Sequence, residues 1–364
     1  MRQDDFFEIN SLAYPVFIGS KLWIRLRECI QPYLKPGGIF IFADQNTLKY
    51  CLPLLVEYVP ELGNHIPYAV MPGEDSKDIS GLEEVWNWLM KSGATRESLL
   101  VNLGGGVVSD LGGFAAATFH RGMPYINLPT SLIGQVDAAI GGKTGINVAG
   151  VKNQAGIFYD PLAVFIIPDF LATLPENHFM SGFAEIIKSA LLAGNHSLQM
   201  MKDTLSPGDK SISGYILDTV KFKCEIVAKD PHERSVRKIL NFGHTVGHAF
   251  ESLFNRHGVT GMLHGDAVAA GMICEAFISS EIKGLSEIER NEMVSLITKY
   301  FEMKPLDEKY FDILLELMRH DKKRNSGSFN FTLLESPGIP CLNCSVGPES
   351  IIRALRSYNQ ITEK

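Results

Sequence analysis

The sequence predicts an α/β nucleotide-binding half over residues 1–174, followed by a mainly helical half over residues 175–364. Three observations predict it. Short apolar runs that stop at glycine or aspartate alternate with amphipathic stretches in the first half, which is the pattern of βαβ units. From Pro175 onward glycine thins out and helical periodicity dominates. A chain of 364 residues also exceeds one ordinary domain and can bury large cores.

In the first half, Gly37–Ala43 (GGIFIFA) is an apolar run that stops at Asp44, and Ser98–Leu103 (SLLVNL) stops at three glycines. Both read as strands. Ser20–Tyr33 and Gly81–Lys91 are amphipathic and read as helices, the second with a cap within Asp78-Ile79-Ser80. The stretch GGGVVSDLGGFAAA (Gly104–Ala117) is the first chemical motif. Glycines after a strand allow close backbone approach to a ligand, and the helix that follows offers free N–H groups to a phosphate. The alternative is a tight strand-to-helix turn, since Ser109 stands where a dinucleotide fingerprint has its last glycine. Asp44 is placed either to accept from a ribose hydroxyl or to cap a helix.

Leu128–Asn153 (LPTSLIGQVDAAIGGKTGINVAGVKN) reads as a functional loop with two lysines, Lys143 and Lys152, and one carboxylate, Asp137. Its Gly141-Gly142-Lys143-Thr144 resembles the tail of a P-loop. The earlier glycine is missing, because Asp137 occupies its place, so a nucleotide triphosphatase is rejected. What remains is a lysine-lined anion pocket, or lysines that are simply solvated.

In the second half, Glu185 sits inside an apolar helix with Lys188 one turn on. A carboxylate there needs a partner, either that lysine or a metal. Lys223, Arg237, Asn241, His244 and His248 follow, then His264 in LHGDAVAAGM. His244 and His248 stand four apart in LNFGHTVGHAFE (Leu240–Glu251). On a helix they share one face, roughly 5–6 Å apart at Cβ, and can converge on a divalent cation or simply pack. Residues 252–263 read as an insertion loop between two helices. Asp321-Lys322-Lys323-Arg324 is a basic cluster or a solvated turn before a strand at Ser328–Leu334.

Composition narrows the function class. A net charge of −7 argues against a nucleic-acid partner. No apolar run approaches the about 20 residues of a membrane span, and MRQDDFFEIN is acidic where a signal peptide is basic. Six scattered cysteines fit a reducing cytoplasm. Cys341-Leu-Asn-Cys344 lacks the second half of a zinc knuckle.

Six blocks appear in order: GGGVVSDLGGFAAATFHRG, LPTSLIGQVDAAIGGKTGIN, VKNQAGIFYDP, SGFAEIIKSALL, LNFGHTVGHAFE and LHGDAVAAGM. Together they resemble the 3-dehydroquinate synthase family of sugar-phosphate cyclases, from about Phe7 to about Leu355. The resemblance implies a Rossmann-like NAD-binding domain, then a mainly helical metal- and substrate-binding domain, with the active site in the cleft between them. It makes Glu185, His244 and His264 the ligands of one zinc or cobalt ion and turns His248 toward substrate. NAD would lie along Asp44, Asn46, Glu74, Lys77, Gly105, Gly106, Val107, Asp110, Thr130, Ser131, Lys143, Lys152, Phe170 and Thr173. The substrate would meet Asp137, Lys143, Lys152, Asn153, Lys188, Lys223, Arg237, Asn241, His248 and a lysine of the pair Lys322 and Lys323. Arg121 would reach the phosphate in the neighbouring subunit of a homodimer. The implied reaction turns 3-deoxy-D-arabino-heptulosonate 7-phosphate into 3-dehydroquinate and phosphate, with NAD reduced and reoxidised in each turnover. Three features depart from the family pattern: Ser109, Asp266 after HG, and the length of 252–263. Sister cyclases making 2-deoxy-scyllo-inosose or 2-epi-5-epi-valiolone are the nearest alternatives. Their substrates lack the carboxylate for which Lys223, Arg237 and Asn241 are suited. A metal-dependent polyol dehydrogenase would need no phosphate site. A catalytically dead NAD-binding regulator would not need the full metal and cation set.

Overall fold

The computed structural model describes residues 6–65, 67–149, 151–194, 212–256, 262–321 and 328–362. The chain forms two compact units, Met1–Phe179 with Ser206–His232, and Met180–Leu205 with Glu233–Lys364.

The first unit holds β1 (Phe6–Ile9), β2 (Val16–Gly19), α1 (Trp23–Ile30), β3 (Ile39–Asp44), α2 (Gln45–Tyr50), α3 (Leu52–Tyr58), β4 (Tyr68–Val70), α4 (Ile79–Lys91), β5 (Leu99–Gly104), α5 (Gly106–Thr118), β6 (Tyr125–Pro129), β7 (Lys143–Val148), β8 (Val151–Phe158) and β9 (Ala163–Ile166). Seven strands pair in the order β1-β2-β9-β6-β5-β3-β4. All neighbours are parallel except β1 and β2. A parallel sheet is covered on both faces, which is why IFIFA is a continuous apolar run and LLVNL is interrupted only by Asn102, itself buried and donating to Asn127 Oδ1 at 3.0 Å. Successive side chains alternate between the faces. Ile39, Ile41, Leu99 and Val101 join one core with Leu26 and Leu55. Phe40, Phe42 and Leu100 join the other with Val85, Leu89 and Leu111.

The chain runs from β3 outward to β4, then returns to β5 on the other side of β3. The strand order therefore reverses at the carboxyl ends of β3 and β5, where open α/β sheets bind their ligands. Asp44 ends the first of these strands and Gly104 the second.

Local chemistry moves several expected boundaries. Pro32 opens a 3-10 turn at Gln31–Tyr33, so α1 is shorter than Ser20–Tyr33. Asp78 is the cap of α4 and accepts from the Gly81 N–H at 2.9 Å, so that helix starts at Ile79. The stretch read as a loop up to Asn153 instead forms a helical turn at Gly134–Ala138 and an antiparallel ribbon, β7 with β8. Its polar, glycine-rich composition hid a ladder made by the backbone, with Ile146 turned into the core. Helix α7 (Ile212–Lys229) belongs with this unit, although the sequence reading placed everything after residue 174 in the second half. It packs on the Gly134–Ala138 turn, where Lys223 donates to the Asp137 carbonyl at 2.6 Å.

Helix α6 (Glu176–Ala193) carries the chain into the second unit. There follow α8 (His244–Arg256), α9 (His264–Lys283), α10 (Glu287–Tyr300), α11 (Phe311–Asp321), β10 (Phe329–Ser336), β11 (Ile339–Val346) and α12 (Pro348–Thr362). Residues 252–256 are the last turn of α8, not loop, because Val246, Phe250, Leu253 and Phe254 continue one buried face. Residues 257–261 lie outside the described residues, as do Lys322 and Lys323. Helix α9 is buried on nearly every side and centres this unit. Among the described residues, no helix is long and apolar enough to cross a membrane. The six cysteines are free thiols.

Candidate metal centre and nucleotide-binding turn

Both α8 and α9 begin with a histidine, His244 and His264. Glu185 lies in α6 and is 1% exposed. One ligand atom from each of these residues lies within 4.8 Å of the others. His244 Nε2 is 3.5 Å and His264 Nε2 3.4 Å from Glu185 Oε1. Metal–ligand bonds of about 2.1 Å in a tetrahedron set ligands about 3.4 Å apart, so the spacing suits a zinc-sized ion. Each ring keeps Nε2 for this position because Nδ1 is engaged elsewhere: His244 Nδ1 faces the Phe242 carbonyl at 3.2 Å, and His264 Nδ1 faces Glu251 Oε2 at 3.3 Å.

Glu185 has neither carboxylate oxygen in a hydrogen bond of normal geometry. Lys188 Nζ abuts Oε2, while Oε1 faces the two imidazoles. Both sequence readings of Glu185 thus meet in one side chain, one oxygen for the lysine and one for a cation. Burial pushes its carboxyl up, but Lys188, His244 and His264 outweigh this and hold it well below the usual range. Burial and Lys188 push His244 well down, toward the neutral form that ligates metals. For His264 burial is overcome by Glu185 and Glu251, which pull it up to about 10. A cation between the three would take the place of that proton. A buried carboxylate with one oxygen turned to two oriented imidazoles fits a divalent metal.

His248 is exposed one turn further along α8, its ring centroid 5.2 Å from that of His244 and 6.1 Å from that of His264. It is not in the ligand cluster. Arg237 and Asn241 lie in the 3-10 turn Val236–Asn241 that leads into α8. Arg237 is 2% exposed, and Asn241 Nδ2 donates to Glu233 Oε1 at 2.9 Å.

In the first unit, the turn after β5 has the backbone geometry that an anion site needs. Gly105 caps α5 without a side-chain hydrogen bond, which leaves the first-turn N–H groups for a ligand. A side chain there would crowd Ser131 Oγ, and one on Gly106 would crowd Ala138, so the backbone itself forms the cradle. Asp44 Oδ1 caps α2 by accepting from Asn46 and Thr47 N–H at 2.8 and 2.9 Å, which is the helix-cap reading. Thr130 is buried and Ser131 half-buried beside the turn, with Val107 in the first turn of α5. Phe170 is a core residue, edge-on to Trp23, and Thr173 ends the same 3-10 segment.

Buried Lys77 joins Asp110, at 2.5 Å, to Asn153 Oδ1, at 2.6 Å. Asn147, not singled out in the sequence, ties this turn to the ribbon. Its N–H donates to the Lys77 carbonyl at 2.8 Å, its amide donates to Glu74 Oε2 at 3.1 Å, and its Oδ1 accepts from Asn153 N–H at 3.0 Å. Lys152 approaches Glu74 at 3.9 Å, and Lys143 is exposed at the start of β7. Lys223 pairs with the Asp137 carboxylate. Arg121 is exposed with φ +66°, after His120 at φ +49°, so two side-chain-bearing residues in succession hold the left-handed region.

Residues 67–181 match the family model described as 3-dehydroquinate synthase N-terminal, and residues 182–324 match 3-dehydroquinate synthase C-terminal. A 3-dehydroquinate synthase of Parabacteroides distasonis is 44% identical over 330 residues, covering 90% of this chain and 93% of the relative. A structure of 2-deoxy-scyllo-inosose synthase with carbaglucose-6-phosphate, NAD+ and Co2+ superimposes with a TM-score of 0.83 at 23% identity, covering 97% of this chain and 99% of its own. The 2-epi-5-epi-valiolone synthase of Streptomyces hygroscopicus, with NAD+ and Zn2+, gives 0.80 at 23% identity, covering 97% and 98%. The last two matches show the fold alone; the two family models and the 44% identical relative show that this chain belongs to the 3-dehydroquinate synthase family.

Proposed function

We propose that this chain converts 3-deoxy-D-arabino-heptulosonate 7-phosphate into 3-dehydroquinate and phosphate, with NAD held by the first unit and one zinc or cobalt ion by the second. The observation that carries this reading is the cluster of buried Glu185 with half-buried His244 and His264, in which the carboxylate oxygens of Glu185 lack a normal hydrogen bond. When bound, the cation would supply Lewis acidity toward substrate hydroxyls, and NAD would supply a reversible hydride acceptor.

The chain's own residues bind, orient and relay. Asp44, Asn46 and the first turn of α5 take the ribose and pyrophosphate of NAD, with Glu74, Lys77 and Asp110 holding the adjacent wall. Arg237 grips the substrate carboxylate with two parallel N–H donors, a geometry that lysine lacks. Lys143, Lys152 and Asn153 hold the phosphate. Asn241 and His248 orient hydroxyls and relay protons, and the phosphate oxygens themselves act as base in the elimination. Arg121 reaches the phosphate in the neighbouring subunit of a homodimer, and the free thiols suit a reducing cytoplasm.

The test is to incubate the protein with the heptulosonate phosphate, metal and trace NAD, following phosphate and NADH together. Many phosphates released per NAD are expected. Net accumulation of NADH would mark a dehydrogenase, and absence of phosphate release would overturn the reading.

Arg237→Lys checks the carboxylate role. Losing one charge-assisted hydrogen bond, about 1.5–3 kcal/mol, should raise KM about 10- to 150-fold while NAD binding by fluorescence stays unchanged. Wild-type KM would remove Arg237 from the carboxylate and favour a substrate that lacks one.

A further inference from the structure

Two buried carboxylates outside the ligand trio stand behind its histidines. Glu251, in α8, is 4% exposed and faces Nδ1 of His264, the first residue of α9. Glu275, in α9, is fully buried at 0% exposure. It accepts from the Gly243 N–H at 2.6 Å through Oε2, and from the Thr245 and Val246 N–H groups at 3.1 and 3.2 Å through Oε1. Those donors flank His244, the first residue of α8.

The first N–H groups of a helix have no partner within it, and a side chain just before the helix usually supplies one. Gly243 stands there, in the left-handed region at φ +79°, and has no side chain to offer. Glu275 supplies the acceptor from the neighbouring helix instead, and its negative charge lies at the positive end of the α8 dipole.

We propose that Glu251 and Glu275 are positioning residues for the metal centre, each mounted on one helix and fixing the ligand that begins the other. Glu251 sets the tautomer and tilt of His264, and Glu275 sets the first turn of α8 and hence the place of His244. The arrangement is reciprocal, so the ligand separation is fixed by the α8–α9 pair as a unit. This rests on the metal reading above. It adds that ligand geometry, which must hold within about 0.5 Å, is set by two residues that never touch the ion.

The test uses the full chain and zinc or cobalt alone. Zinc affinity is measured by chelator competition, and ligand geometry by the visible absorption of the cobalt form. Glu251→Ala should weaken zinc about 10- to 100-fold and change the cobalt spectrum, and Glu251→Gln, which keeps an acceptor for His264, should recover most of both. Glu275→Gln, which keeps one of two acceptor oxygens, should weaken zinc about tenfold or more with a changed spectrum. Ile297→Ala, a cavity in α10, which carries neither a ligand nor a positioning carboxylate, should lower Tm and leave affinity and spectrum unchanged. If Glu275→Gln does not fold, the Glu251 pair decides alone. Wild-type zinc affinity and cobalt spectrum in Glu251→Ala would overturn the proposal while leaving the metal reading intact. Failure of the unmodified protein to bind either ion would overturn both.

Discussion

Glu185→Gln is expected to empty the metal centre and lower turnover by at least about a thousandfold, since Lewis-acid stabilisation is worth several kcal/mol and about 1.4 kcal/mol is tenfold. Both imidazole Nε2 atoms converge on Glu185 Oε1, so the carboxylate is the shared vertex of the trio. Glutamine keeps the shape and an oxygen for Lys188 but removes the charge that makes the site attractive to a dication. Alanine would confuse the test. Lys188 is 2% exposed, and alanine would strip from this buried ammonium both its counter-ion and its hydrogen-bond acceptor, at about 3–5 kcal/mol, whereas glutamine leaves the acceptor. Glu185→Ala should therefore fold poorly, whereas Glu185→Ala with Lys188→Met should fold and still bind no metal. Elemental analysis and thermal unfolding separate these effects. A full equivalent of tightly held zinc in Glu185→Gln would remove Glu185 from the ligand set.

Much of this centre was legible in the sequence, and the rest was hidden for physical reasons. Apolar runs ending at Asp44 and Gly104 marked the strands whose ends form the switch point, because a doubly covered parallel strand has no polar face to break the run. Spacing alone paired His244 with His248. The structure pairs His244 with His264, because the third ligand enters where α8 and α9 both begin, and spacing along one helix says nothing of the next. Glu251 stands seven residues beyond His244 on the same helix, but its partner His264 opens the next one, so spacing along α8 did not single it out. Glu275 could not, because its partners are backbone N–H groups, which leave no trace in residue type. The β7–β8 ribbon was missed for a related reason: its ladder is backbone, and its composition reads as loop.

Gly271→Ala should be among the most damaging single-methyl changes in the second unit, although it adds the residue with the best helix propensity to the interior of a helix. A Cβ at position 271 would lie 1.9 Å from the Gly243 carbonyl oxygen and 2.7 Å from the Gly247 nitrogen. Both obstacles are backbone, so no rotamer change relieves them. Helix α8 must move away from α9 at its first turn, which carries His244 and the N–H groups that Glu275 holds. Overpacking of this kind costs about 3 kcal/mol or more, and at about 2–4 °C per kcal/mol Tm should fall by about 6–12 °C. Zinc affinity should fall at least about tenfold as well, because the same displacement separates His244 from His264. Gly284→Ala separates crowding from backbone preference. Gly284 ends α9 at φ +79° with open space around its Cβ position, so that variant should cost only about 1 kcal/mol of left-handed strain and leave zinc binding unchanged. If Gly271→Ala kept wild-type Tm and zinc affinity, the two helices would not be in the contact that sets the ligand spacing, and the positioning of His244 would need another cause.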